Sequence, residues 1–188
     1  MSRLDLIGIS GVICSGKDTV AAIINDITDQ RYTVKRFAGK LKVFTSMLTG
    51  IPVENLDDQS VKNSTLGPEW SNMTVREVLQ RLGTDAVRDN LHKDAWVNAL
   101  FSDHNSRCRW IIPDTRFPNE FAAIRNRGGI IVRVERHTEK RDLHPSETSL
   151  DGFDFDYTIQ NNKGITELTD KVTVMLQYFE QELKGVII

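Results

Sequence analysis

The chain has 188 residues, a formal net charge of −2 and two cysteines. This length suits one α/β domain with a full core. The slight acidic balance argues against polymeric nucleic acid as the main partner, because domains that bind it normally carry a basic surplus. Cys14 and Cys108 form no C-x-x-C motif, which argues against a disulfide framework or a zinc site and fits a reducing cytoplasm. No apolar run approaches the ~18 residues of a membrane span, and the first residues lack a signal-peptide pattern.

Apolar runs of strand length alternate with segments of helical periodicity along the chain. They predict strands at 4–10, 32–37, 109–114, 129–136 and 157–160, and helices at 17–27, 39–48, 74–82, 84–90, 94–100, 118–127 and 165–183. Thr74 and Glu77 form a capping box, and Gly83 is expected to stop or kink the helix that follows. Residues 50–73 are predicted to form a loop or short-helix excursion. The alternation predicts an α/β fold whose mostly parallel sheet carries helices on both faces and binds ligands beyond the carboxyl ends of its strands.

Residues 11–19, GVICSGKDT, fit the phosphate-loop pattern G-x-x-x-x-G-K-[ST] at every fixed position except the last. Gly11, Gly16 and Lys17 are in place, a strand-length run precedes them, and a helical segment follows. Glycines let the backbone turn its N–H groups towards phosphate oxygens, and Lys17 reaches the β- and γ-phosphates. The alternative is a chance glycine turn before an amphipathic helix, and the flanking segments favour a nucleotide site.

Asp18 stands where the phosphate-loop pattern places a serine or threonine, and Thr19 follows it. A carboxylate is a hard oxygen ligand, so Asp18 could take Mg²⁺ directly or through water, or it could simply cap the helix. Thr19 can still offer a hydroxyl to the α-phosphate. We expect Mg²⁺ to accompany ATP and leave its ligands open between these alternatives.

The strand at 109–114 ends in Asp114, followed by Thr115 and Arg116. Nucleotide hydrolases usually follow such an acid with a water-activating glutamate, which is missing here. Asp114 could hold Mg²⁺ through water or orient an acceptor, or it could cap a helix. Arg116 fits an anionic second substrate, and the alternative for it is a surface salt bridge. The segment therefore favours phosphoryl transfer over hydrolysis.

Transfer between two phosphorylated molecules needs cations that screen their mutual repulsion. The candidates are Lys17, Lys42, Arg76, Arg133, Arg136 and Arg141. The polar segment that contains Arg136 and Arg141 suits a lid over ATP, and a solvated charged loop is an equally weighted alternative. Trp96 and Phe37 could stack on a base, although an isolated tryptophan more often belongs to a core.

Seven segments resemble one family, the bacteriophage deoxynucleoside monophosphate kinases, and they occur in that family's order. They are SGKDT (15–19), AGKLK (38–42), VREVLQRLGTD (75–85) with Trp96, PDTRFPNE (113–120), GGIIVRVER (128–136), DLHPSE (142–147) and DYTIQNNKGITEL (156–168). Together they cover most of the chain. The LGTD and DTR segments are more specific than the phosphate loop.

The resemblance implies an ATP-dependent P-loop kinase that makes deoxynucleoside diphosphates for viral DNA synthesis in the host cytoplasm. It implies a single kinase domain over 1–188, with an acceptor-binding arm around 38–100, a lid around 136–150 and a tendency to form homodimers. The resemblance implies that Ser15, Gly16, Lys17, Asp18 and Thr19 bind ATP. The loop pattern adds Gly11 to this expected ATP site, and the charged segment predicted as a lid adds Arg136 and Arg141. The implied deoxynucleotide site comprises Leu41, Lys42, Arg76, Gly83, Thr84, Trp96, Asp114, Arg116 and Glu120. Catalysis is assigned to Lys17, Asp114, Arg116 and Arg136.

The chain departs from the pattern of this family at two places, and two other functions are alternatives to the one that the resemblance implies. The family carries a basic residue at the position of Cys14, and the 50–73 excursion is shorter than in the best-known member. Animal-type phosphomevalonate kinase shares the SGKD loop, a DTR segment and a similar tail, while LGTD with Trp96 and the FPNE run favour the deoxynucleotide enzymes. A non-catalytic nucleotide-binding regulator is the other alternative, and it would lack a cationic acceptor site.

Overall fold

The computed structural model describes residues 3–105, 107–137 and 148–185. The chain divides into two compact units. The sheet unit comprises Met1–Arg36 and His104–Ile188, and the helical unit comprises Phe37–Asp103. The helical unit spans nearly the same residues as the acceptor-binding arm predicted around 38–100. Most of the lid predicted around 136–150 lies outside the described residues.

The sheet unit is built on five parallel strands in the order β2-β3-β1-β4-β5. The strands are β1 Leu6–Ser10, β2 Thr33–Val34, β3 Trp110–Ile112, β4 Ile130–Glu135 and β5 Tyr157–Gln160. The α-helices of the described residues are α1 Lys17–Ile27, α2 Ala38–Thr49, α3 Gln59–Asn63, α4 Val75–Gln80, α5 Ala95–Phe101, α6 Pro118–Arg125 and α7 Ile165–Leu183. All five residues of β1 are buried, as expected for a central strand covered on both faces. The predicted fold class, a P-loop α/β protein, is confirmed. The strand predicted at 32–37 is shorter than expected.

Alternate residues of β1 pack against helices on opposite faces of the sheet. Ile7 and Ile9 belong to a buried cluster that includes apolar residues of α1 and α7. Gly8 faces the other way, where a Cβ atom would lie 2.7 Å from Cδ1 of Ile124 in α6. A glycine at this position leaves room for the Ile124 side chain to lie against the strand. Helix α6 thus packs close to the sheet. The turn between β3 and α6 therefore lies close to the end of β1.

Asp156 anchors the chain that leads into β5. Its side chain is 5% exposed, and its Oδ1 pairs with both Arg3 and Arg125, the latter at 2.7 Å. Its Oδ2 accepts a hydrogen bond of 2.7 Å from the backbone N–H of Ile131, whose carbonyl accepts one of 3.0 Å from the backbone N–H of Asp156. One carboxylate therefore fixes the start of β5 beside β4.

We expect Asp156→Asn to lower the free energy of unfolding by about 2 kcal/mol. The neutral amide loses the attraction of both arginines, and its NH₂ group must face either those cations or the Ile131 N–H. Urea unfolding followed by circular dichroism measures the change. Asp154→Asn, an exposed site two residues earlier, is the control. Equal stability of the two variants would contradict the anchoring role.

The helical unit contains a capping box at the start of α4, as predicted. The Thr74 N–H donates to Glu77 Oε2 at 2.6 Å, and the Glu77 N–H donates to Thr74 Oγ1 at 3.2 Å. The hydrogen bonds from Thr74, first from its backbone and then from its hydroxyl, lower the pKa of the Glu77 carboxyl. This box places the first turn of α4, which carries Arg76.

The helix does not stop at Gly83, contrary to one expectation from the sequence. It continues from α4 as a π-helix over Arg81–Asp89. A Cβ at Gly83 would lie 2.8 Å from Cδ2 of Leu41 in α2. Glycine therefore allows α2 to pack closely against this helix, and it does not terminate the helix. The π geometry is rare in proteins, and where it interrupts an α-helix it is often found at a functional site.

The helices that the described residues form are too short or too polar to cross a membrane.

Candidate active site

The phosphate loop connects the buried strand β1 to the first turn of α1, as the sequence predicts. Gly11 has a φ of 154° and Gly16 a φ of 102°, values that favour glycine. The space beside both is also filled. A Cβ at Gly11 would overlap the Val134 carbonyl, and one at Gly16 would overlap the Asn161 amide. Both glycines are therefore required by their backbone conformation and by their close neighbours.

Lys17 is the first residue of α1 and is only 8% exposed. Its Nζ donates to the carbonyls of Gly11 and Val12, at 2.7 and 2.8 Å. The ammonium group thus lies against the first residues of the loop. This position would allow the ammonium group to reach a phosphate held by the loop's N–H groups.

Ser15 lies inside the loop with its side chain fully buried. Its Oγ has no hydrogen-bond partner among the described residues, and it would lie 2.6 Å from a Cβ built on Gly11. The hydroxyl therefore packs against the loop's own backbone. The ATP-binding role assigned to Ser15 stays a prediction, and the burial of the hydroxyl limits it to the main chain.

We expect Ser15→Ala to change the KM for ATP by less than about threefold. The substitution removes a buried hydroxyl that makes no hydrogen bond, and it keeps the backbone N–H. Steady-state kinetics at saturating acceptor measure the effect. A tenfold or larger rise in the KM for ATP would show that the hydroxyl itself contacts the nucleotide.

Asp18, in the first turn of α1, pairs with Arg36, and this pair was not foreseen. Its Oδ1 lies 2.7 Å from Nη2 of Arg36, two residues after β2, and its side chain is 70% exposed. Among the described residues, no three His, Cys, Asp or Glu side chains form a metal-binding group. Mg²⁺ in nucleotide enzymes commonly takes only one or two carboxylates, together with phosphates and water. Asp18 fits that limited role, with Arg36 as a competing cation.

The turn after β3 is tied to β1 and to α6. The Thr115 N–H donates to the Ile9 carbonyl at 3.2 Å, and Thr115 is buried. Glu120 is also buried, and its Oε2 accepts from the N–H groups of Arg116 and Phe117 at 2.8 and 3.1 Å. The Glu120 carboxylate therefore holds the backbone of Arg116. The structure supports a positioning role for Glu120, whereas the resemblance implied direct binding of the deoxynucleotide.

Asp114 and Arg116 flank Thr115 and are both partly buried. The hydroxyl of Ser149 donates to the Arg116 carbonyl at 2.9 Å. The backbone of this turn is therefore fixed from two sides, by Glu120 and by Ser149. Because β3 is the neighbour of β1 in a parallel sheet, the Asp114–Arg116 turn and the phosphate loop follow strand ends on the same edge.

Arg133, one of the candidate cations, is engaged within the sheet unit. Its guanidinium donates to Ser10 Oγ at 3.3 Å and to Asp151 Oδ1 at 3.0 Å, and it lies 5.4 Å from the ring centre of Phe155. Arg136 is exposed one residue after β4. Arg141 lies outside the described residues. The lid assignment of these arginines stays a prediction.

The two cations of the predicted acceptor site in the helical unit are held by polar neighbours. Lys42 Nζ pairs with Asp57 Oδ1 at 2.5 Å. Arg76 donates to Gln59 Oε1 at 2.9 Å and to Asn63 Oδ1 at 3.1 Å. Helix α3 and the turn before it thus orient both side chains. The sequence predicted no pairing of Asp57, Gln59 or Asn63 with these cations.

Four other predicted acceptor residues lie on α2, the π-helix and α5. The indole N–H of Trp96 donates to the Gly83 carbonyl at 2.9 Å, and Trp96 is buried with its ring edge-on to Phe44. Leu41 fills the space that a Cβ on Gly83 would need. The structure favours the core role of Trp96 over stacking on a base. Thr84, beside Gly83, is partly buried.

Asn161 is a residue of the site to which the sequence had assigned no role. It follows β5, is 8% exposed, and its Nδ2 donates to the Ser15 carbonyl at 2.8 Å. It lies in the segment DYTIQNNKGITEL that carried part of the family resemblance. Its sequence separation of 146 residues from Ser15 left no local pattern that could have identified the contact.

Known proteins resemble this chain over most of its length. The sequence model of the family described as deoxynucleotide monophosphate kinase matches residues 45–172. A relative from Acanthamoeba polyphaga mimivirus, provisionally named deoxynucleotide monophosphate kinase, is 31% identical over 183 residues, which are 89% of this chain and 93% of the relative.

Two phage proteins named deoxynucleotide monophosphate kinase are also similar. The protein of Enterobacteria phage T4 is 31% identical over 126 residues, 64% of this chain and 47% of the relative. That of Escherichia phage RB69 is 27% identical over 120 residues, 61% of this chain and 48% of the relative. The chain thus spans about half the length of these two phage relatives.

Two kinases are among the solved structures whose backbones resemble that of this chain. Shikimate kinase from Aquifex aeolicus has a TM-score of 0.47 at 11% identity, covering 92% of this chain and 96% of that one. The APS kinase CysC of Mycobacterium tuberculosis has a TM-score of 0.42 at 14% identity, covering 94% and 99%. The assignment rests on sequence instead: the match over residues 45–172 and the similarity to the mimivirus relative show that this chain belongs to the deoxynucleotide monophosphate kinase family.

Proposed function

We propose that this protein transfers the γ-phosphoryl group of ATP to deoxynucleoside monophosphates, giving deoxynucleoside diphosphates for DNA precursor synthesis. The observation that carries the proposal is the phosphate loop between β1 and α1, with Lys17 lying against it, in a chain of the deoxynucleotide monophosphate kinase family. A phosphate loop alone is compatible with many reactions. Family membership narrows the proposed acceptor to a deoxynucleotide.

The phosphate loop is proposed to bind the donor through its backbone N–H groups and the Lys17 ammonium. Lys17 sits at the start of α1, where the helix dipole favours negative charge. Burial of Lys17 lowers the local dielectric constant, so its attraction to phosphate is stronger than in water. Exclusion of water also disfavours hydrolysis of ATP. The donor side therefore supplies both affinity and charge screening.

The acceptor is proposed to bind through Lys42, Arg76 and Arg116. A nucleoside monophosphate carries a dianionic phosphate, for which arginine offers paired N–H donors. Asp57, Gln59 and Asn63 hold the first two cations, and the Glu120 carboxylate holds the backbone of the third. The Lys42 and Arg76 side chains, which are already held in place, lose less conformational entropy when the acceptor binds.

The transfer itself needs little acid–base chemistry from the protein. The attacking oxygen of a monophosphate is already ionised near neutral pH, so no strong general base is required. In-line attack on the γ-phosphorus depends on alignment and on screening of the combined negative charge. Lys17 and Arg116 are proposed to supply the screening from the donor and acceptor sides, and Asp114 to orient the acceptor.

Magnesium is the metal that this chemistry implies. Bound Mg²⁺ supplies positive charge to the phosphates of ATP. The residues proposed to hold it, directly or through water, are Asp18 and Asp114, whose hard carboxylate oxygens suit this ion. For Asp18 this role requires release from Arg36, its partner at 2.7 Å.

The remaining assignments extend the same proposal. Arg136 and Arg141 are proposed to close over ATP as parts of a lid. The protein is proposed to act in the cytoplasm, of a host cell if the source is viral, and to form a homodimer. No polymeric nucleic acid or membrane is required for the reaction.

An ADP-release assay with a panel of acceptors tests the proposed function. ATP and Mg²⁺ are mixed with each deoxynucleoside monophosphate, the matching ribonucleotides, phosphomevalonate or dephospho-coenzyme A. We expect ADP release that depends on at least one deoxynucleoside monophosphate. Release with phosphomevalonate alone would identify a different small-molecule kinase. Release with none of the panel would favour a nucleotide-binding regulator.

A further inference from the structure

We infer that Asn161 is a positioning residue that sets the conformation of the phosphate loop for ATP. It acts through the Ser15–Gly16 peptide and has no assigned part in the chemistry. The inference rests on the proposed function only in requiring that this loop binds the phosphates of ATP.

The contact between Asn161 and the loop is short and buried. Nδ2 of Asn161 donates to the Ser15 carbonyl at 2.8 Å. Ser15 is fully buried and Asn161 is 8% exposed, so little water competes for either group. A buried carbonyl that loses its donor carries a desolvation cost. The native loop conformation is therefore favoured over conformations that leave the Ser15 carbonyl unpaired.

The direction of this carbonyl determines the direction of a loop N–H. In a trans peptide the C=O of residue i and the N–H of residue i+1 point to opposite sides. Because the Ser15 carbonyl points to Asn161, the Gly16 N–H points away from it. Gly16 N–H is one of the groups that the phosphate-loop pattern assigns to phosphate. The Asn161 hydrogen bond thus holds a phosphate donor in one orientation.

The Gly16 residue restricts this orientation only weakly. Gly16 has a φ of 102°, and glycine adopts positive and negative φ values with similar ease. A rotation of the Ser15–Gly16 peptide would therefore meet little steric resistance from Gly16. The hydrogen bond from the Asn161 amide favours the observed orientation of the Ser15–Gly16 peptide. The same amide fills the space beside Gly16 that a Cβ would need.

Asn161 is itself held by the sheet. Its backbone N–H donates to the Glu135 carbonyl at 2.7 Å, directly after the β4–β5 pair of Glu135 with Gln160. The amide therefore projects from the end of a paired strand. A donor with a fixed main chain can hold a mobile glycine peptide, whereas a donor on a loose loop could not.

The test compares Asn161→Ala and Asn161→Asp with Gln160→Ala in the full-length protein. Alanine removes the donor, and aspartate replaces it with a group of equal size whose ionised form only accepts hydrogen bonds. Gln160 precedes Asn161, and its side chain is exposed. Three quantities are measured: the Kd for a non-hydrolysable ATP analogue, the separate KM values for ATP and dNMP, and the unfolding midpoint.

We expect both Asn161 variants to bind the ATP analogue about tenfold more weakly or worse. The KM for ATP should rise while the KM for dNMP stays within about twofold, and Gln160→Ala should match the wild type. The folded Asn161 variants could instead show a lower unfolding midpoint and an unchanged affinity for the ATP analogue. Asn161 would then have only a structural role, and the inference would be wrong. The wild-type protein could bind the analogue and yet phosphorylate no deoxynucleoside monophosphate. That result would contradict only the proposed function, because the comparison of binding affinities would still decide the role of Asn161.

Discussion

Replacing Lys17 by methionine is expected to lower kcat by about a thousandfold. The change keeps the aliphatic stem at a position that is 8% exposed and removes the ammonium that lies against the Gly11 and Val12 carbonyls. A preorganised cation at a water-excluded site stabilises charge that develops on the transferring phosphoryl group, and no mobile ion can replace it at the same position. Steady-state kinetics with ATP and a deoxynucleoside monophosphate measure the loss.

The matched control for this substitution is Lys163→Met. The Lys163 side chain is 77% exposed, so its removal should change kcat by less than about twofold. Circular dichroism and the unfolding midpoint establish that both variants are folded. A folded Lys17→Met protein that retains more than a tenth of wild-type kcat would remove Lys17 from the catalytic assignment.

Arg116→Ala is expected to lower kcat/KM for the acceptor by about a hundredfold, through a higher acceptor KM, a lower kcat, or both. The backbone of Arg116 is fixed by Glu120 and Ser149, so alanine should leave the turn in place and remove only the guanidinium. The KM for ATP should change little, because the donor is assigned to the loop between β1 and α1. Varying each substrate at saturation of the other separates the two effects.

Arg127→Ala provides the comparison for Arg116→Ala. Arg127 is an exposed arginine two residues after the end of α6, and it donates to the Ala123 carbonyl at 2.9 Å. Its removal deletes the same charge from the sheet unit without touching the turn after β3. Unchanged acceptor kinetics in Arg116→Ala would eliminate the assigned role, and equal losses in both variants would point to net charge instead.

Local sequence patterns predicted the parallel sheet and the phosphate loop. The buried run of β1, the glycines of the loop and the capping box at Thr74 each depend on residues close together in the chain. Their physical causes are steric or involve neighbouring hydrogen bonds, so they can be recognised from short segments. The same holds for α6, which begins at the predicted proline, Pro118.

The contacts that hold the site together were beyond the reach of such patterns. Asn161 reaches Ser15 across 146 positions, and Asp18 pairs with an arginine two residues beyond β2. Such pairs depend on strand order, which periodicity does not specify. Gly83 illustrates a different limit, because its role depends on Leu41 in a neighbouring helix, and a glycine within a helical pattern otherwise predicts a stop.

Transfer of radioactive phosphate from [γ-³²P]ATP to a deoxynucleoside monophosphate tests most directly the claim that the loop between β1 and α1 delivers the γ-phosphoryl group. We expect labelled deoxynucleoside diphosphate with the wild-type protein and almost none with folded Lys17→Met. Label that appears only as inorganic phosphate, or equal labelling of the diphosphate by both proteins, would contradict it.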